Sequence, residues 1–293
     1  MKCCPLCETA YARMDWHCPA CDFEPLLESG IPILAPELAQ GGAGFHAEAF
    51  AELADLEAEN FWFRARNYLI VWALRRHFPR MRRYLEIGCG TGYVLAGVAE
   101  AYPQADIAGS EVFSVGLPFA ATRVNKAELL QMDARRIPYA DEFDVIGAFD
   151  VLEHIEEDAT VLMEMRRALR SEGGIAITVP QHPWLWSRQD DYACHVRRYR
   201  VGELREKVSR VGFTVVFETS FVSLLLPAML ASRLTQSKTS SDEDHFSELR
   251  LPTLINRIFE TTMDLERLLI RIGLRFPIGG SRLLIARKSE VGE

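Results

Sequence analysis

Tyr84-Leu85-Glu86-Ile87-Gly88-Cys89-Gly90-Thr91-Gly92 constrains this chain more than any other stretch. An apolar run of strand character ends in three alternating glycines and passes directly into a helical pattern, which predicts a tight strand-to-helix turn whose backbone a ligand can approach closely. The spacing is GxGxG with Tyr at position 93, so both the third glycine of a dinucleotide GxGxxG and the lysine of a GxxxxGK phosphate loop are absent. NAD and ATP are disfavoured accordingly. The next predicted strand ends at Glu111, where a carboxylate would accept both hydroxyls of a ribose. An adenosine-type ligand fits.

Around this turn, strands and helices alternate as they do in a parallel sheet covered on both faces. Strands are predicted near Tyr84 to Ile87, Asp106 to Ser110, Glu128 to Gln131, Phe143 to Phe149, Gly174 to Val179, Phe213 to Thr219 and Ser281 to Arg287. With 293 residues, 48% of them hydrophobic, the chain can bury a sizeable core. Its net charge of -8 argues against broad adhesion to nucleic acid or anionic membrane.

Four segments carry a family resemblance in chain order: Glu86 to Gly92, Glu111, Met132-Asp133-Ala134, and Phe149-Asp150-Val151-Leu152-Glu153-His154-Ile155. From about Arg82 to Lys288 the chain resembles class I S-adenosylmethionine-dependent methyltransferases. The resemblance implies an α/β, Rossmann-like seven-stranded sheet, its last strand antiparallel and inserted beside the fifth, with helices on both faces. It also implies that Glu86, Gly88, Gly90 and Gly92 approach the cofactor, Glu111 binds its ribose, Asp133 and Ala134 hold the adenine, and Asp150 sits beside the methionine portion. S-adenosylmethionine is the expected cofactor.

Five of the seven cysteines precede residue 22. Cys4-Pro-Leu-Cys7 and Cys18-Pro-Ala-Cys21 form paired CPxC turns, a donor set suited to one structural zinc in a small ribbon, with Cys3 and His17 as spare ligands. No apolar run follows the N-terminal Met-Lys, and the apolar stretch Phe221 to Ala231 is too short to span a bilayer, so a cytoplasmic address is expected. Residues 1–40 are assigned to the ribbon, 41–80 to a helical linker or lid after the Gly41, Gly42, Gly44 joint, and 81–293 to the methyltransferase domain. A helical cap is expected at about 220–280, containing the acidic run Ser241 to Glu248.

Candidate catalytic groups follow the fourth and fifth strands. His154 lies in the LEHI element, where resembling proteins shape the cofactor pocket. The run Asp191 to Tyr199 resembles a segment of methyltransferases with varied acceptors. His195 is the candidate proton acceptor, with Asp191 fixing its tautomer, at an acceptor edge shared with His182 and Tyr199. Arg64 or Arg66 is expected to meet the cofactor carboxylate. The leading expectation is methylation, at oxygen, of a small-molecule or lipid-linked acceptor, with peripheral membrane contact compatible with it. A ribosomal RNA methyltransferase using the patch Arg75, Arg76, Arg80, Arg82 and Arg83 is the alternative. A noncatalytic cofactor-sensing adaptor is a third reading. The acceptor and the oligomeric state are not readable.

Overall fold

The computed structural model describes residues 1–13, 15–39, 47–235 and 250–289. The glycine joint at 41–44 and the acidic run at 241–248 lie outside them. From the N-terminus come β1 (Lys2–Cys3), β2 (Ala10–Tyr11), β3 (Leu26–Glu28), β4 (Ile31–Ile33), α1 (Pro36–Ala39), α2 (Ala47–Leu56) and α3 (Phe61–His77). The glycine turn is flanked by β5 (Arg83–Ile87) and α4 (Tyr93–Ala101). Then follow β6 (Asp106–Glu111), α5 (Leu117–Arg123), β7 (Glu128–Gln131), β8 (Phe143–Phe149), α6 (Asp158–Ala168) and β9 (Leu169–Pro180). The remaining elements are α7 (Arg188–Tyr192), α8 (Glu203–Arg210), β10 (Phe213–Phe221), α9 (Leu226–Thr235), α10 (Thr253–Arg271) and β11 (Ser281–Lys288).

The large sheet runs β10-β11-β9-β8-β5-β6-β7-β4-β3. All seven expected strands are present, parallel from β9 to β7, and β11 is antiparallel between β9 and β10. The expected count of seven is nevertheless corrected to nine among the described residues. Ile31–Ile33, within the span assigned to the ribbon, instead forms a hairpin with β3 and pairs parallel with β7 through Ile33 and Gln131. The physical reason is the fully buried Gln131. Its amide accepts from Ala35 N at 2.8 Å and donates to Ala35 O at 2.8 Å, continuing the ladder with a side chain where the strand ends.

Two apolar layers sandwich the sheet. One joins α3, α4, α5 and α10 through residues such as Leu69, Ile70, Leu95, Leu117 and Met263; the other joins α6 and α8 through Val161, Leu162, Leu204 and Val208. Ile70 is 1% exposed at the first layer's centre, so truncation to Ala there should cost about 2 to 5 kcal/mol. In the 220–280 segment, α10 lies along α3. Phe259 meets Phe61 edge to face at 5.3 Å, and Glu260 holds Arg64 at 2.7 Å. No described helix is long and apolar enough to cross a membrane.

β1 and β2 form a hairpin that presents the first CPxC turn and packs on the larger body. Cys3 N donates to Pro138 O at 2.9 Å, and Trp16 meets Tyr139 edge to face at 5.5 Å.

Candidate active site

A cavity of about 820 Å³ opens at the carboxyl ends of β5, β6 and β8, where open α/β sheets bind ligands. Its floor is the glycine turn, and the three glycines have different tasks. Gly90 (φ +53) lines the cavity, and a Cβ there would meet nothing within 4 Å, so its missing side chain leaves room for a ligand. Gly92 (φ +80) does not line the cavity. It caps α4, and a Cβ would lie 2.8 Å from the Ala120 backbone, so its missing side chain lets α4 pack on α5. Gly88 lines the floor, with Val151 behind it.

Glu111 ends β6 beside this turn. Its Oε2 accepts from Gly90 N at 3.0 Å, and its Oε1 accepts from Val112 N at 2.8 Å and Phe113 N at 3.2 Å. Burial raises its pKa, and these three amides oppose that shift. Glu86 lies deeper, with its pKa pushed up to about 8 by burial, while the Tyr84 hydroxyl donates to it at 3.1 Å and counters the shift. Asp150 follows β8 with φ +57, a strained conformation for a non-glycine residue, and its carboxylate meets Arg66 Nη2 at 2.5 Å. Arg66 also donates to Phe149 O at 2.8 Å and lines the cavity, whereas Arg64 is committed to Glu260. Asp133 and Ala134 line the wall after β7, where Asp133 is held by Arg135 Nε at 3.0 Å.

The outer wall comes mainly from the 41–80 span, read from the sequence as a helical linker or lid. α1, α2, the turn after α2 and the start of α3 supply Leu38, Phe50, Leu53, Glu57, Trp62 and Phe63, whereas no described residue of 220–280 lines the cavity. The roof therefore belongs to the N-terminal helices. Glu57 fixes it to the floor by accepting from Thr91 Oγ1 at 2.6 Å and from Arg123 Nη1 at 2.5 Å. The sequence signal was there in the amphipathic run from Phe50 to Leu56 directly before the aromatics.

The expected acceptor edge is rearranged. His195 Nδ1 pairs with Asp190 Oδ1 at 2.8 Å, not with Asp191. Asp191 is exposed and accepts from Trp186 Nε1 at 2.8 Å. The reason lies in α7, where Ser187 and Asp190 form a capping box that turns Asp190 inward, 1% exposed, and Asp191 outward. Arg198 Nε at 2.7 Å, with His195, holds the Asp190 carboxyl far below its ordinary range despite burial. Tyr199 is buried and donates to Asp158 at 2.7 Å, so it faces no acceptor. His182 is buried beside Trp184, and its pKa is lowered by burial. His154 does line the cavity. Its ring meets that of His195 at 4.7 Å, and desolvation, then His195, lower its pKa to about 4.

Away from the cavity, Cys4, Cys7, Cys18 and Cys21 bring their sulfurs within 4.8 Å of one another. Cys4 to Cys21 and Cys7 to Cys18 are each 3.6 Å. Four thiolates about 2.3 Å from one tetrahedral zinc would stand about 3.8 Å apart. Leu6 N and Cys7 N point at Cys4 Sγ at 3.4 and 3.5 Å, which favours a thiolate. Cys3 accepts instead from Arg167, and His17 lies between Asp22 and Glu24, so neither joins the cluster. The basic patch lies around the end of α3 and the start of β5, opposite the carboxyl ends that frame the cavity, and Arg83 is spent on Asp106, Glu128 and Glu142.

Residues 85–177 match the family model of a methyltransferase domain. A Mycobacterium tuberculosis protein named as an S-adenosylmethionine-dependent methyltransferase is 30% identical over 172 residues, spanning 56% of this chain and 60% of its own length. An Azoarcus trans-aconitate 2-methyltransferase is 33% identical over 98 residues, which is 33% of this chain and 39% of that protein. Among solved structures, Haemonchus contortus phosphoethanolamine N-methyltransferase 2 in complex with S-adenosyl-L-methionine shares the fold, with a TM-score of 0.52 at 16% identity over 75% of this chain and 52% of its own. The chain thus aligns with less than two thirds of these relatives, and what it shares with them is a stretch similar to a methyltransferase domain that takes in the glycine turn.

Proposed function

We propose that this chain transfers a methyl group from S-adenosylmethionine to an oxygen of a small-molecule or lipid-linked acceptor. The observation that carries the reading is the acidity of the roofed cavity, whose described lining has eight acidic side chains, including Glu111, Asp133, Asp150 and the protonated Glu86, against the two guanidiniums of Arg66 and Arg135. Such a lining suits a cationic sulfonium and an amino acid ammonium, and it repels a phosphate backbone. The basic patch that an RNA substrate would use lies beyond the other end of the sheet. The relative named for trans-aconitate supports a small acceptor.

The donor, when bound, supplies an electrophilic methyl group and its own leaving group. The residues here need only bind, orient and exclude water. Glu111 would take the ribose hydroxyls and Gly90 would leave room for the chain of the methionine portion. Arg66 would meet its carboxylate, with Asp150 and Glu86 near its ammonium. Asp133 and Ala134 would border the adenine. Phe50, Leu53, Trp62 and Phe63 would exclude water from above. His154, neutral near pH 7, stands on the wall as a hydrogen-bonding group for the acceptor. We further propose one structural zinc on the four cysteines. Purified protein incubated with methyl-labelled donor and fractionated cell extract tests the activity. Label is expected in the small-molecule or lipid fraction and should survive ribonuclease; loss of label after ribonuclease would establish the RNA alternative, and no transfer to any fraction the adaptor.

A further inference from the structure

Glu153 breaks the rule that buried polar groups are hydrogen-bonded. It is 0% exposed, and neither carboxylate oxygen has a hydrogen-bond partner. The two nearby guanidiniums are engaged elsewhere, Arg198 with Asp190 and Arg66 with Asp150. What stands beside the orphaned carboxylate is imidazole. Glu153, His154 and His195 each bring a ligand atom within 4.8 Å of the others. The segments that carry them are locked together, since Val196 N donates to Glu153 O at 2.7 Å and His195 N donates to Asp190 O at 2.9 Å.

We propose that Glu153, His154 and His195 form a binding site for one divalent transition-metal ion, distinct from the cysteine cluster, at the wall of the methyl-transfer cavity. Two imidazoles and one carboxylate suit zinc, manganese or iron(II) better than calcium or magnesium, which prefer oxygen ligands throughout. Asp190 supplies the outer support such a site needs. It takes His195 Nδ1, leaves Nε2 as the ligand nitrogen, and is itself fixed by Arg198 and by Ser187 N at 2.7 Å. Three protein ligands leave at least one position open, and His154 lies on the cavity surface, so the open position is available to an acceptor oxygen. This acceptor role rests on the proposed methyl transfer, but the ion site itself does not.

The test is therefore a metal titration without donor or acceptor. Manganese(II), which binds poorly to thiolates, is added to the full chain and followed by electron paramagnetic resonance. One bound ion per chain is expected. Cys18→Ser should leave it in place, while Glu153→Gln and His154→Ala should abolish it. Asp190→Asn should weaken it about 10- to 100-fold through loss of the outer support. Glu153→Gln leaves no buried charge, so its fold and donor affinity should be retained; His154→Ala at the cavity wall gives the same reading should Glu153→Gln fail to fold. Absence of bound manganese in the wild type, or unchanged binding in His154→Ala, overturns the site. Failed methyl transfer with manganese bound overturns only the function.

Discussion

Glu86 is the residue at which the proposed donor binding would couple to pH. Its folded pKa of about 8 lies above the ordinary glutamate value, so the protein without ligand holds a proton there at neutral pH. The sign follows directly: its contribution to stability is complete below about pH 4.5 and is lost as pH rises through about 8. A cationic donor would favour the ionised form, so binding near pH 7 should release a proton. Calorimetry in buffers of different ionisation enthalpy should detect that release, and Glu86→Gln should abolish it while flattening the fall in stability toward pH 8. Asp190 has the opposite sign. Its lowered pKa gives stability that is present above about pH 4 and lost as acid protonates it. Removal of its buried charge in Asp190→Asn strands Arg198 and should cost about 3 to 5 kcal/mol, whereas exposed Asp191→Asn should stay within about 0.5 kcal/mol. Denaturant melts of the two variants check this contrast directly.

At the scale of elements, the glycine turn shows why a motif is legible while its division of labour is not. The GxGxG spacing located the turn between β5 and α4, yet only the packing of α5 shows that Gly92 is hemmed in by Ala120 while Gly90 faces open space. Gly92→Ala meets Ala120 in a left-handed conformation and should lower the melting temperature by several degrees with donor affinity scaled only by unfolding. Gly90→Ala meets no neighbour and should instead weaken donor binding about tenfold or more with a smaller thermal loss, as thermal scans and calorimetry on the pair would show. The same limit applies to α7. The sequence marked Asp191 because of its spacing to His195, but a five-residue helix opened by Ser187 rotates Asp190 inward, and that choice is made by a capping box and by Arg198 eight residues later. The tie between the 41–80 helices and the floor was obscured by distance along the chain, since Glu57 reaches Thr91 and Arg123 only after folding.

Across the whole molecule, the order of motifs at strand ends sufficed to place the cleft, because a doubly covered parallel sheet always presents its carboxyl edge to ligands. The edge hairpin was hidden because three residues, Ile31-Pro32-Ile33, carry no periodicity that distinguishes a ribbon strand from a sheet strand; the side chain of Gln131 makes that distinction. The N-terminal lobe should contain one zinc per chain by elemental analysis, and Cys18→Ser should lose it together with protease resistance of residues 1–25, leaving the large sheet folded. One topological feature reaches beyond the folded state. β11 is the last of the described strands, yet it sits between β9 and β10 and supplies ladder partners to both. During vectorial synthesis on the ribosome, the cleft strands β5 to β8 emerge early, while β9 and β10 leave facing edges unpaired until residues 281–288 clear the exit tunnel. A nascent chain stalled before that point exposes two sticky sheet edges, which makes chaperone demand, and the aggregation of prematurely stopped chains, a property of strand order rather than of overall stability.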